Sequence, residues 1–378
     1  MILLSHPTVN SFVRSLAEAL HVEGRLAAFH TTLACGRRRV GIPSALVHQH
    51  PFRESVRLLA GRLGAEGLIR HETGWASVDA VYRDLDHQVS RRLGNESVVY
   101  CYEDGALETF LAAKQRGIRC CYELPIAYWE TSQRLLKEEA ERLPEWEPTL
   151  RATRDSKSKL ERKTQELALA DLVICPSRFV QASLPGGTRS IVAEFGSPPI
   201  RPLLERGVGG PLRVLFAGSM SQRKGLADLF EAMKILGSPQ AELIVMGSLE
   251  APMNFYTHQY PGFLHQRPRA HEEFLALMQT CDVLVLPSIV EGRALVQQEA
   301  LSCGLPLIVT PNAGGEDLVE EGETGFVVPI RNPHAVAERL EWFLRNRQLL
   351  PEMRKAAQRM AARCSWENYT SKIIASLL

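Results

Sequence analysis

No apolar run in the 378 residues reaches the roughly 18 to 20 positions that a bilayer span requires, and the opening MILLSHPTVN lacks the basic start and long apolar stretch of a signal peptide. The expectation is a cytoplasmic chain. Net charge is nearly absent: 44 Lys and Arg against 43 Asp and Glu leave +1, which offers no general basic field to nucleic acid. Only RATRDSKSKLERK has a mild positive excess, which leaves open a weak peripheral contact at the inner face of a membrane. The eight cysteines (Cys35, Cys101, Cys120, Cys121, Cys175, Cys281, Cys303, Cys364) form no CxxC pair and have no histidine at ligand spacing, so no zinc site is indicated. Several lie in apolar strand-like runs, where a reduced thiol behaves as a small hydrophobe. No GxGxxG follows a strand, which sets aside a dinucleotide oxidoreductase. Repeats and low-complexity tracts are also missing.

What is present is a 45% hydrophobic, 23% charged composition, enough for two cores of ordinary size. Short β-branched or apolar runs alternate with amphipathic stretches, the pattern of parallel sheets covered by helices. Strands are predicted at 1–4, 98–102, 118–122 and 172–175, and again at 212–217, 242–246, 283–286 and 306–309. Helices are predicted at 105–116, 226–237 and 292–303. Between the two sets, FGSPPIRPLLERGVGGPLRV is rich in proline and glycine and reads as a linker. The charged, mostly helical stretch 129–170 reads as a solvated helix face.

Two corners could carry chemistry. In FAGSMSQRKGL, residues 216–226, a strand ends at Gly218 and a helix begins near Leu226, with Asp228 and Glu231 in its early turns. A helix start offers free N–H groups and a positive dipole end to an anion. Arg223 and Lys224 add two charges that suit a diphosphate, although a solvated basic loop fits the residues as well. In LPSIVEGRALVQQEALSCGLP, residues 286–306, strand, turn and helix recur. Glu291 precedes the helix and Glu299 lies within it, about 80° round the axis. They are too far apart to share a metal ion, but they can line one elongated ligand, since a carboxylate grips vicinal hydroxyls. An early-turn glutamate plus an exposed mid-helix one is the alternative.

Taken in order, FAGSMSQRKGL, ELIVMGS and CDVLVLPSIVEGRALVQQEALSCGLPLIVTPNAGGEDLVEEGETGFVVP resemble the donor-binding domain of family-4 retaining glycosyltransferases of GT-B architecture, closely over roughly 212–345. The resemblance implies two Rossmann-like, doubly wound α/β domains facing across a cleft. The first would be an acceptor-binding domain at 1–203 joined by a C-terminal helix, 364–378, that crosses back with Trp366 as packing anchor. The second would be a donor-binding domain at 204–363, with linker and crossing helix as hinge. It further implies that Glu291 contacts the donor sugar, Glu299 the ribose, and Arg223 with Lys224 the diphosphate. Backbone N–H groups of Ala294, Leu295 and Val296 would approach the diphosphate and sugar, Gly247 would leave room for the nucleotide, and the base would sit near Leu264, His265 and Gln266. Arg223, Lys224 and Glu291 would be the catalytic set, stabilising charge on the leaving diphosphate without a metal or other cofactor. No DxD-type metal motif follows a strand.

The departures are specific. The family's more common EGFGLV is EGRALV here, so Arg293 replaces an aromatic and Ala294 a glycine. Arg293 then either meets an acidic sugar or phosphate or faces solvent. Ser219 stands where an arginine is often found. In the first half, LLSHPTVNSFVRSLAEAL places His6, Asn10 and Arg14 near the cleft, with Asn10 or Ser11 as helix cap. IRCCYELPIAYWE puts Glu123 where a histidine is expected, either as general base or acceptor-hydroxyl partner, or as the structural partner of an arginine. In CYEDGAL, Glu103 and Asp104 end a strand, and Asp104 reads as a helix cap. The implied function is transfer of a hexose from a nucleotide sugar to a saccharide or lipid-linked saccharide acceptor in bacterial surface glycan biosynthesis. The alternative is a non-catalytic GT-B subunit that binds nucleotide sugar or a partner protein.

Overall fold

A computed structural model describes residues 1–36, 39–204 and 209–378, so part of the predicted linker lies outside the described residues. The first sheet comprises β1 (Ile2–Ser5), β2 (Leu26–Thr31), β3 (Val47–Gln49), β4 (Val98–Tyr102), β5 (Arg119–Glu123), β6 (Leu172–Cys175) and β7 (Ser190–Val192). All pairings are parallel, in the order β3-β2-β1-β4-β5-β6-β7. The second sheet comprises β8 (Leu212–Ala217), β9 (Ala241–Met246), β10 (Phe263–Gln266), β11 (Val283–Leu286), β12 (Leu307–Val309) and β13 (Gly325–Val327), ordered β10-β9-β8-β11-β12-β13. In both, the order reverses beside the first strand of the set, and that switch point is where open α/β sheets bind ligands.

The eight predicted strands exist to within a residue at each end. β2, β3, β7, β10 and β13 were missed. Three of them, β3, β7 and β13, are only three residues long, too short for a period to show. The helix expected at 292–303 is Leu295–Ser302, because 291–294 are held as an extended loop against the other domain.

The crossing helix is there. Trp366–Leu377 lies on Ser11–Val22, and Tyr369, Ile373, Ile374 and Leu377 are buried with Val13, Leu16 and Leu20 in the core of the first domain. Trp366 packs on Gly196, whose missing side chain makes the room, and near the Phe195 ring at 6.4 Å.

The charge of 129–170 is only in part a solvated face: Glu130, Arg134, Lys137, Glu141, Lys157 and Glu161 are exposed, but four charged residues lie inside. Glu139 and Glu166 are fully buried and Lys159 and Lys163 nearly so. A buried carboxylate is tolerated only when its lone pairs are filled, and here they are. Glu166 accepts from the backbone N–H groups of Asp104 (2.9 Å), Ala106 (3.1 Å) and Leu107 (3.2 Å), while Asp86 accepts from those of Glu108 and Thr109 (both 2.8 Å). These two acids, brought from other helices, cap the helix Leu107–Gln115. Asp104 does not: its φ is +67° and its carboxylate pairs with Lys163 at 3.1 Å.

The same segment reaches into the second domain. Trp146 is buried among Phe230, Phe255 and Tyr256, with ring centroids 6.0, 4.9 and 5.8 Å away. Removing a buried indole leaves a cavity that costs about 3–5 kcal/mol. Trp146→Ala should therefore lower the second domain's unfolding midpoint in urea, read by the near-ultraviolet signal of its aromatic residues, while leaving the first domain's helical signal in place.

Candidate functional site

The carboxyl ends of β8, β9 and β11 face those of β1 and β4 across a cavity of about 570 Å3. Gly218, Ser219, Lys224, Gly247 and Glu291 line it from the second domain, and Asn10, Phe12, Tyr102, Pro125 and Phe195 from the first.

Glycines bring the two predicted corners together. Gly218 has φ +146°, and a Cβ there would press on the Lys224 stem at 2.7 Å. A Cβ at Gly247 would collide with the Gly218 carbonyl oxygen, so that glycine is required by the neighbouring loop before any nucleotide arrives. Gly225, with φ +75°, lies against the Pro287 carbonyl. The carbonyl of Arg223 accepts from the N–H groups of Ile289 (2.9 Å) and Val290 (3.3 Å), and the Arg223 guanidinium donates to the Val290 carbonyl at 2.9 Å.

Glu291 sits at this junction. Its Oε2 is 2.5 Å from Lys224 Nζ and 3.1 Å from Arg223 Nη1. Burial alone would raise its pKa, but the charges of Arg223 and Lys224 outweigh burial and hold it at about 2. One carboxylate thus stands against two cations, and the surplus charge is positive. Lys224 and Glu291 form cavity wall; Arg223, a quarter exposed, stands behind them. Ala294 caps the helix Leu295–Ser302, and Ala294, Leu295 and Val296 are on the wall.

Other predicted residues fall elsewhere. Glu299 lies off the wall, 3.5 Å from His271 Nδ1, with its pKa raised by burial. His265 is in β10, its Nε2 3.2 Å from the Gly247 carbonyl. That side of the wall is made by Met246, Ser248, Pro268 and Phe274. Arg293 does not face solvent: only 4% exposed, it borders the cavity but its guanidinium pairs with Asp317 at 3.3 Å and its Nη1 reaches the Pro176 carbonyl at 3.5 Å. Burial would leave a guanidinium uncompensated, so it turns toward the nearest carboxylate.

On the first-domain side, Asn10 is on the wall and caps its helix, accepting from the Val13 N–H at 3.1 Å. His6 and Glu123 are buried behind that wall, 3.9 Å apart, with the His6 ring 4.4 Å from Tyr102 and 5.5 Å from Phe12. The neighbours of Glu123 are Tyr100 and His6, not an arginine. Burial, only partly opposed by the neighbouring Tyr100 hydroxyl, pushes its carboxyl up to about 8, and burial drops His6 to about 3. Both groups are therefore neutral at pH 7.

Sequence reasoning missed the side chains that hold the first corner. Gln222 donates from Nε2 to Glu139 and Asp228 (2.8 Å each), its Oε1 accepts from the Ala227 N–H, and its own N–H donates to Thr149 Oγ1 at 3.1 Å. Arg142 bridges Glu139 (2.6 Å) and Asp228 (2.8 Å), and Arg331 also binds Glu139. A signal existed: Glu139 falls four residues after Leu135, on the apolar stripe of its helix. Away from the cavity, His71, Glu72 and Asp155 are one set among the described residues that could hold a metal ion, but Ser156 already donates to Glu72 and Lys159 pairs with Asp155 at 3.2 Å.

The raised carboxyl of Glu123 has a testable sign. Between pH 4.5 and about 8 the unfolded chain ionises this group and the native state does not, so the group costs stability as pH rises, by roughly 1.4 kcal/mol per pH unit. Urea unfolding of Glu123→Gln should show the variant gaining on the natural chain from pH 5 to pH 8; parallel profiles would contradict the buried neutral acid.

Residues 206–360 match the family model "Glycosyl transferases group 1". The D-inositol 3-phosphate glycosyltransferase of Corynebacterium urealyticum is 32% identical over 172 residues, 46% of this chain and 36% of that protein. The capsular polysaccharide biosynthesis glycosyltransferase CapM of Staphylococcus aureus is 28% identical over 168 residues, 41% and 44% of the two chains. The chain thus spans less than half the length of these relatives. Among solved structures, Anabaena HepE in complex with UDP and glucose superposes with TM-score 0.64 at 16% identity, covering 100% of this chain and 98% of that one. No helix among the described residues is long and apolar enough to cross a membrane. The chain therefore has the GT-B fold, and residues 206–360 of its second domain resemble the glycosyl transferases group 1 family.

Proposed function

We propose that this chain is a glycosyltransferase that moves a hexose from a nucleotide-diphosphate sugar to a saccharide or lipid-linked saccharide acceptor, with retention of configuration and without a metal cofactor. The observation that carries this reading is the Lys224–Glu291 pair on the cavity wall with Arg223 against it from behind, a surplus positive charge beside the start of the helix Leu295–Ser302. A diphosphate fits there: Lys224 and Arg223 would grip its oxygens while the N–H groups of residues 294–296 approach from the helix start. As the glycosidic bond breaks, charge collects on the leaving diphosphate, and these fixed groups stabilise it. Glu291 is then released to bond the sugar hydroxyls, and Glu299 is assigned to the ribose.

The acceptor side is assigned to Asn10 and to the aromatic wall of Phe12, Tyr102 and Phe195, which presents an apolar surface to a sugar ring. His6 and Glu123 support that wall from behind. CapM is named for capsular polysaccharide biosynthesis and HepE was solved with UDP and glucose. These names support a uridine nucleotide donor and a surface glycan product for the proposed reaction.

Replacing both Arg223 and Lys224 by alanine should weaken nucleoside diphosphate binding by several kcal/mol, since a charged hydrogen bond contributes roughly 1.5–3 kcal/mol. Calorimetric titration with UDP and GDP reads this, and unchanged affinity removes the clamp. Glu299→Gln should weaken binding of UDP more than that of its 2′-deoxy analogue; equal losses place the ribose elsewhere. Slow hydrolysis of one nucleotide sugar in a panel separates an enzyme from a subunit that only binds.

A further inference from the structure

Behind the donor loop lies a second cavity, of about 380 Å3, bounded by Glu194, Arg293, Asp317, Arg363, Ser365 and Lys372. Its volume falls within the range of small-molecule sites. Arg293 contributes to both cavities. Its Nη2 is buried without an oxygen or nitrogen hydrogen-bond partner; the thiol of Cys364, a weak acceptor, is beside the guanidinium, and Glu194 acts on it from farther off. Its one carboxylate, Asp317, is shared, because Arg178 Nε also binds Asp317 at 3.1 Å. A nine-tenths buried guanidinium with an N–H unfilled calls for an acceptor.

The rest of the cavity suits an anionic one. Ser365 caps the twelve-residue helix Trp366–Leu377, and this helix start brings its positive dipole end to the wall. Arg363 and Lys372 are more than half exposed and hold their partners, Glu320 and Glu194, at the surface, where such pairs exchange readily. Three cations and a helix start thus meet two carboxylates on the wall, Glu194 and Asp317, with a third, Glu320, paired to Arg363 outside it.

We propose that this hinge cavity is a binding site for a small phosphorylated anion, held by Arg293, Arg363 and Lys372 at the start of the crossing helix. The site is separate from the donor cavity but joined to it. Gly292, between Glu291 and Arg293, accepts a hydrogen bond from Ser177 Oγ of the first domain at 2.6 Å. An anion that draws on Arg293 therefore acts on the loop carrying Glu291 and on its attachment to the first domain.

The test is calorimetric titration of the whole chain with inorganic phosphate and, separately, a hexose 6-phosphate, each in the presence of saturating UDP or GDP so that the donor cavity is filled. One saturable site is expected, weakened at least tenfold in the variant carrying Arg363→Gln and Lys372→Gln, with nucleotide affinity unchanged as evidence that the variant is folded. Tighter binding of the sugar phosphate identifies a phosphorylated metabolite, and equal affinity identifies free phosphate. The proposal is overturned if millimolar phosphate gives no saturable binding, or if the double variant binds as the natural chain does. Should neither nucleotide bind, the donor reading fails, while the same titrations on the free protein still decide the hinge site.

Discussion

Two cations held by one carboxylate are the constraint around which the second domain is arranged. Arg223 and Lys224 would repel each other if left adjacent in a partly desolvated pocket. Glu291 settles them, and at about 2 its pKa keeps it ionised through the whole physiological range. Because the carboxylate cancels only one of the two charges, the pocket stays attractive to an anion while remaining stable without one. The geometry needs close backbone approach, which is why Gly218, Gly225 and Gly247 meet carbonyls and side-chain stems that a Cβ would displace.

The support for this pocket comes from outside the domain. Glu139, on the helix Trp129–Arg142, accepts from Arg142, Gln222 and Arg331 at full burial, and Gln222 is the residue immediately before the clamp. Single removal from such a network leaves the remaining charges buried and unpaired, which is costlier than never having had them. The helical segment that sequence reading gave to the first domain therefore also positions the loop of the second.

The alternation of apolar runs and amphipathic stretches was enough to place eight strands and both cores, because parallel strands covered on both faces leave a continuous hydrophobic signature. Three-residue edge strands carry too little pattern to be read. At the site, spacing located the two corners, and the glycines, basic pair and Glu291 converge as the motif order implied. Fates of single charged side chains were not legible. Arg293, Glu123, Asp104 and the acids of 129–170 all depend on which carboxylate or guanidinium another part of the chain supplies, and one-dimensional spacing carries no information about that partner. Glu139 shows what can be read: an acid on an apolar stripe marks a buried network even when its members are unknown.

The crossing helix has a consequence for how the molecule is made. Tyr369, Ile373, Ile374 and Leu377 complete a hydrophobic core whose other members, from Ile2 to Phe195, leave the ribosome far earlier. During synthesis the first domain must wait, partly open, while the second is translated and folds. Only when Trp366–Leu377 emerges can that core close, so the lobe begun first is completed after the one that follows it.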